Sequence, residues 1–87
     1  MIISLNENII QANLDDEYVL FDPENSNYIN LNSSASLIWN FLKVPVSEED
    51  LLNKLSETID ENIETLKSDL KFFIEQAKKK NLIKINV

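Results

Sequence analysis

The stretch from Tyr18 to Trp39 (Tyr-Val-Leu-Phe-Asp-Pro-Glu-Asn-Ser-Asn-Tyr-Ile-Asn-Leu-Asn-Ser-Ser-Ala-Ser-Leu-Ile-Trp) constrains the fold more than any other. Tyr18–Phe21 is aromatic and β-branched, which suits a strand. Asp22-Pro23-Glu24-Asn25-Ser26 is a turn with a mechanism. Asp bonds the backbone ahead, Pro presets φ at the second position, and Asn tolerates the left-handed region. Asn27–Leu31 then reads as a strand, with Ile29 and Leu31 on one face and Tyr28 and Asn30 on the other. Asn32 or Ser33 caps a helix in which Ala35, Leu37, Ile38, Phe41 and Leu42 follow helical spacing around Trp39.

The flanking sequence completes the pattern. Residues 7–14 (Glu-Asn-Ile-Ile-Gln-Ala-Asn-Leu) predict a first strand, and Asp15-Asp16-Glu17 a polar turn. Lys43-Val44-Pro45-Val46 ends the first helix, and Ser47-Glu48-Glu49-Asp50 opens a second with a serine cap and acids at its N-terminal dipole. Leu51, Leu52, Leu55 and Ile59 form its apolar stripe. Asp60 is the expected cap of a third helix over 61–80, whose Ile63, Leu66, Leu70, Phe73, Ile74 and Ala77 lie within about 100° of arc. Lys78-Lys79-Lys80 complements its C-terminal dipole, and Asn81 is placed to take a left-handed cap. Leu82–Val87 reads as a candidate closing strand. The expectation is one α+β domain over 1–87, winged helix-turn-helix-like. It has three N-terminal antiparallel strands, then three helices and a short C-terminal strand.

Composition narrows the function. Cysteine and histidine are absent, which removes disulfides, thiolate chemistry, the usual zinc ligands and the commonest general base. Glycine is absent too, so no phosphate-cradling loop exists. No pair of carboxylates sits in an apolar run, and the expectation is no enzyme, no cofactor and no metal. No apolar run approaches the roughly 20 residues of a membrane span, and Met1–Glu7 lacks the basic start of a signal peptide, so the chain reads as cytoplasmic with no membrane partner. Of a net charge of −7, the excess lies early: residues 1–42 hold six acids and no Lys or Arg. Such a surface solubilises, favours cationic partners and repels nucleic acid.

Two features stand apart from the core pattern. Phe72 lies off the third helix's apolar stripe, on a flank shared with Thr65, Asp69 and Gln76. It is either an incidental exposed aromatic or part of a groove with Asp69 as a charged anchor. Asn27–Asn32 contains no proline, lysine or arginine to guard an open edge. That edge is either covered by the chain's termini or free to accept a peptide as an added strand.

These residues carry a likeness to a known family. The chain resembles the PqqD-like domains, the precursor-peptide recognition elements of ribosomal peptide natural-product biosynthesis. The resemblance lies in Tyr18-Val-Leu-Phe-Asp-Pro-Glu, then Tyr28-Ile-Asn-Leu-Asn, then Ala35…Ile38-Trp39, in that order. Ser47-Glu-Glu-Asp-Leu-Leu and Asp69-Leu70…Phe72-Phe73…Asn81-Leu82-Ile83 extend it over nearly the whole chain. Asn25-Ser26, Ser34 and Asn81 depart from it, standing where similar domains often carry glycine. The resemblance implies a non-catalytic adaptor that takes a leader peptide as a strand along Asn27, Tyr28, Ile29, Asn30 and Leu31. Thr65, Asp69, Leu70, Phe72, Phe73 and Gln76 would form the helix wall. It also implies a maturation enzyme as partner: a radical enzyme, a leader peptidase with a lasso-type cyclase, or another maturase.

Three other readings compete. A DNA-reading helix should present basic and amide side chains, but 61–76 carries Glu61, Glu64, Asp69 and Glu75 against Lys67 and Lys71, and the chain has no arginine. An acyl-carrier bundle needs Asp-Ser-Leu at a helix start, whereas Ser68-Asp69-Leu70 has the wrong order and sits mid-helix. A structural protein–protein interaction domain fits the composition as well.

Overall fold

The computed structural model describes residues 1–15 and 17–86; Asp16 of the expected turn and Val87 of the closing strand lie outside the described residues. The chain runs β1 (Ile2–Leu5), β2 (Ile10–Leu14), β3 (Glu17–Asp22), β4 (Asn27–Asn30), α1 (Ser33–Phe41), β5 (Val46–Ser47), α2 (Glu48–Thr58), α3 (Ile63–Lys79) and β6 (Ile83–Asn86). The mixed α+β order agrees with the sequence expectation. Its three N-terminal antiparallel strands are β2, β3 and β4, in that spatial order. A second three-stranded sheet, in the order β5–β1–β6, goes beyond that expectation. Its register joins Ile2–Leu5 to Ile83–Asn86 across almost the full length of the chain, so no local turn signals it.

That second sheet settles where the termini go. β1 and β6 pair with each other, and neither pairs with β4. Among the described residues, β4 therefore has one strand neighbour, β3, and one open side.

The core is built from the stripes that periodicity marks. Ile3, Leu20, Trp39, Leu42, Leu51, Leu55 and Leu70 are essentially solvent-free, and both sheets contribute to the same apolar cluster. The indole N–H of Trp39 donates to Gln11 Oε1 at 2.9 Å, which ties α1 to β2 and satisfies the buried ring's polar atom. Leu52 and Ile59 are half-buried at the margin of that cluster.

Several local expectations shift. Asn62, not Asp60, caps α3, its side chain accepting the Glu64 N–H at 2.8 Å, because Ile59 ends α2 in extended backbone and the chain re-enters the helix two residues late. Ile63 thereby becomes the first helical residue, with no preceding turn to cover, and is 43% exposed rather than core. In the 22–26 turn, the left-handed residue is Ser26 (φ 54°), while Asn25 donates its side-chain amide to Asp22. Asn81 does take the left-handed region (φ 57°). There the Leu82 N–H bonds Ala77 C=O and the Asn81 N–H bonds Lys78 C=O, the paired closure that ends a helix and turns the chain back on it.

Candidate functional site

The open side of β4 can be read from one bond. The Leu31 N–H donates to Tyr18 C=O at 2.9 Å, continuing the register Val19↔Asn30 and Leu20↔Ile29. In an antiparallel pair, alternate residues turn both main-chain groups to the same neighbour. Ile29 and Asn27 therefore face β3 with Leu31, and Tyr28 and Asn30 direct their N–H and C=O groups outward. The Tyr28 side chain points away from the helices and packs its ring on Phe21, centroids 4.8 Å apart. At 75% exposure it belongs to the outer face of the sheet.

Beside this edge lies a groove of about 510 Å³. One wall is Ile29, Asn30, Leu31 and Asn32; the facing wall is Asp69, Phe72, Phe73, Gln76 and Ala77 of α3. Ser34, Ala35 and Ile38 of α1 form its floor, with Lys80 and Leu82 at the far end. Phe72 is 65% exposed, whereas Phe73, its neighbour in sequence, is 9% exposed and reaches the core. A groove that is apolar inside and edged by unpaired main-chain groups suits an extended chain.

The position of β4 depends on Ser36, a buried residue of α1. Its hydroxyl accepts the Tyr18 N–H at 2.9 Å and donates to Leu31 C=O at 3.1 Å. The side chain thus stands in for the missing half of the Tyr18–Leu31 main-chain pair. It fastens the end of β4 to the helix that floors the groove.

Of the eleven residues singled out from sequence, seven line the groove: Ile29, Asn30, Leu31, Asp69, Phe72, Phe73 and Gln76. Leu31 is buried, with its N–H already bonded to β3, so it contributes wall rather than edge. Asn27 and Tyr28 lie on the same strand but outside the lining, and Asn27 turns its main-chain groups to β3. Thr65 is exposed one turn before Asp69 and outside the lining. Leu70 is buried and faces a separate depression with Met1, Leu52 and Lys67, which puts it on the core side of α3. Sequence reasoning missed Asn32, Ser34, Ala35, Ile38, Ala77, Lys80 and Leu82. For Lys80 a signal existed, because it lies eleven residues after Asp69, three helical turns on the same face.

β2, the other edge of the sheet, has a different neighbourhood. The depression there is about 480 Å³ and includes Ser4, Asn6, Glu7, Lys43 and Lys84 in its lining. It offers no exposed aromatic comparable with Phe72. No group of three or more His, Cys, Asp or Glu side chains is placed to hold a metal ion among the described residues. No helix among them is long and apolar enough to cross a membrane.

Comparison with known proteins bears on the family and the fold. The sequence matches the family described as Coenzyme PQQ synthesis protein D (PqqD) over residues 17–83. Curated proteins gave no match. Among solved structures, one described as TbiB1 in complex with the TbiA(beta) leader peptide aligns with a TM-score of 0.87 and 23% identity, covering 97% of this chain and 98% of that one. Another, described as lasso peptide synthetase B1 complexed with the leader peptide, aligns at 0.81 and 23%, covering 95% and 98%. At that identity the likeness is one of fold, and the fold is the same.

Proposed function

The chain belongs to the PqqD family, and from that premise we propose that it is a non-catalytic adaptor for the leader segment of a ribosomally made precursor peptide. The leader adds as a strand to the open side of β4 and lays alternate side chains against α3. The observation that carries this reading is the coincidence of two features at one place. The strand that turns the main-chain groups of Tyr28 and Asn30 outward also lines, from Ile29 onward, the groove that Phe72 lines from α3. Two proteins with this fold are described as bound to leader peptides, which supports the same class of ligand here.

Strand addition supplies affinity through main-chain bonds, and the groove supplies selectivity. A flexible leader loses conformational freedom on binding, which keeps affinity moderate and release ready. Both suit a protein that holds a substrate while another enzyme acts on it. That partner is a maturation enzyme: a radical enzyme, a leader peptidase working with a cyclase of the lasso type, or another maturase. This reading places its work in the cytoplasm, with no nucleic-acid partner.

The test is a titration of isotopically labelled protein with the leader of a small precursor peptide found encoded beside it. Amide shifts should concentrate at 28–32 and along 69–82. Shifts confined to β2, or none at saturating peptide, would remove the proposal.

A further inference from the structure

Strand addition leaves two things undetermined. Main-chain hydrogen bonds are blind to sequence, and sliding the added strand by two residues restores the same pattern with the same face inward. Reversing the strand's direction also keeps most of the bonds available. A groove that selects one register and one direction needs a feature that differs between its two ends.

Charge supplies that difference. Among the described residues two charged ones line the groove, Asp69 and Lys80, and the wall facing them, Ile29–Asn32, is uncharged. They are eleven residues apart on α3 and its cap, so the helix separates them by about 16 Å and rotates them by only about 20°. The other charged residues of α3 (Glu64, Lys67, Lys71, Glu75, Lys78 and Lys79) fall at least about 80° from Asp69 around the helix. Of the lysine triplet, Lys80 alone lines the groove. Between the two charges the α3 wall is Phe72, Phe73, Gln76 and Ala77, all uncharged.

We infer that Asp69 and Lys80 set the direction and register of the bound peptide, selecting an extended segment with a basic side chain at one end and a carboxylate at the other. This rests on the leader-binding reading and adds the chemistry of the ligand. The span of about 16 Å corresponds to about five residues at 3.3 Å each. Side chains sharing one face of a strand are an even number apart, so the acid and base stand four or six residues apart, with lysine or arginine stems taking up the mismatch. Each pair is solvent-exposed, so the gain is modest, enough to choose among registers that main-chain bonding leaves equal.

The test uses the leader of the precursor encoded beside the chain, as the native peptide and with its acid and base exchanged. Both are titrated by fluorescence anisotropy against the wild-type protein, Asp69→Lys, Lys80→Glu and the double variant. Exchanging the peptide's charges should weaken wild-type binding about 3- to 10-fold, the double variant should prefer the exchanged peptide, and about 0.5 M salt should flatten both preferences. Recovery in the double variant is an outcome that misfolding cannot produce. Equal binding of the two peptides to every form overturns the inference while leaving leader binding intact. So does a native leader with no acid and base four or six residues apart. If the wild-type protein binds neither peptide, the leader-binding reading fails and this inference falls with it.

Discussion

The hydroxyl of Ser36 accepts the main-chain N–H of Tyr18 at 2.9 Å, across eighteen residues and between a helix and a strand. The same hydroxyl donates to Leu31 C=O. A β-ladder would ordinarily close the Tyr18–Leu31 pair with two main-chain bonds. Here one is made directly and the other runs through a side chain. The substitution lets the chain leave the sheet after Asn30 and enter α1 at once, with Asn32 already capping the helix through the Ala35 N–H.

Ser36→Ala should therefore cost about 1–3 kcal/mol, the expense of leaving a buried N–H and C=O without a partner. Urea denaturation checks it: the midpoint should fall with the slope unchanged. Peptide binding should weaken as well, because the end of β4 loses its fastening. A variant as stable as the parent would show that water satisfies both groups.

Asp15 (φ 58°), Ser26 (φ 54°) and Asn81 (φ 57°) hold left-handed backbone that glycine would adopt freely, and the last two stand in the β3–β4 turn and at the α3 cap. Ser26→Gly should raise stability by about 0.5–1 kcal/mol, and Asn81→Gly by less, since asparagine tolerates that region better than serine. Thermal melts of the two variants should rank in that order. The same change at Ser34, which sits inside α1 with φ in the helical range, should destabilise by a similar amount.

These positions mark how far the sequence could be read. Helix periodicity found α1, α2 and α3, and turn chemistry found the β3–β4 pair, because both signals are local. Which of Asn25 and Ser26 goes left-handed was not legible, since it turns on whether Asp22 captures the Asn25 amide. β1 was missed for a different reason. Its partners β5 and β6 are supplied from far along the chain, and Ile2–Leu5 has no hairpin turn of its own. In the groove, Phe72 and Asp69 stood out because they break a stripe. Ala35, Ile38 and Ala77 obey their stripes, so nothing in the sequence separates a groove floor from a core.

The open edge of β4 makes a position-specific prediction. The N–H of Asn30 faces away from β3, so Asn30→Pro removes a donor from the peptide side and none from the β3–β4 ladder. The variant should stay folded and bind the leader at least about 10-fold more weakly, since its added strand lacks a main-chain partner. Ile29→Pro deletes an N–H directed at β3 and should instead disrupt the sheet. Circular dichroism with a parallel binding isotherm distinguishes the two; equal binding by Asn30→Pro and wild type would place the peptide elsewhere.

Asp69 and Lys80 are both exposed. Asp69→Ala should accordingly leave the thermal melt within experimental error while reducing leader affinity severalfold. A loss of affinity that persists in high salt would mean that Asp69 acts through a hydrogen bond rather than through charge.

Phe72 and Phe73 are adjacent in sequence and both line the groove, yet their truncations should differ in kind. Phe73 is buried against the core cluster, so Phe73→Ala opens a cavity there and should cost about 3–5 kcal/mol of stability. Any loss of binding would then be inseparable from loss of fold. Phe72 is exposed, with no core contact to lose, so Phe72→Ala should melt like the parent. Its ring is nevertheless the largest apolar surface the groove presents to a peptide, and covering it accounts for much of what the α3 wall contributes. Leader affinity should fall about 10-fold or more for Phe72→Ala, and Phe72→Leu should recover part of that, because the leucine keeps apolar area at the same position. Calorimetric titration of both variants with the leader gives the comparison. An affinity unchanged in Phe72→Ala would mean that the peptide is held by the strand edge without the helix.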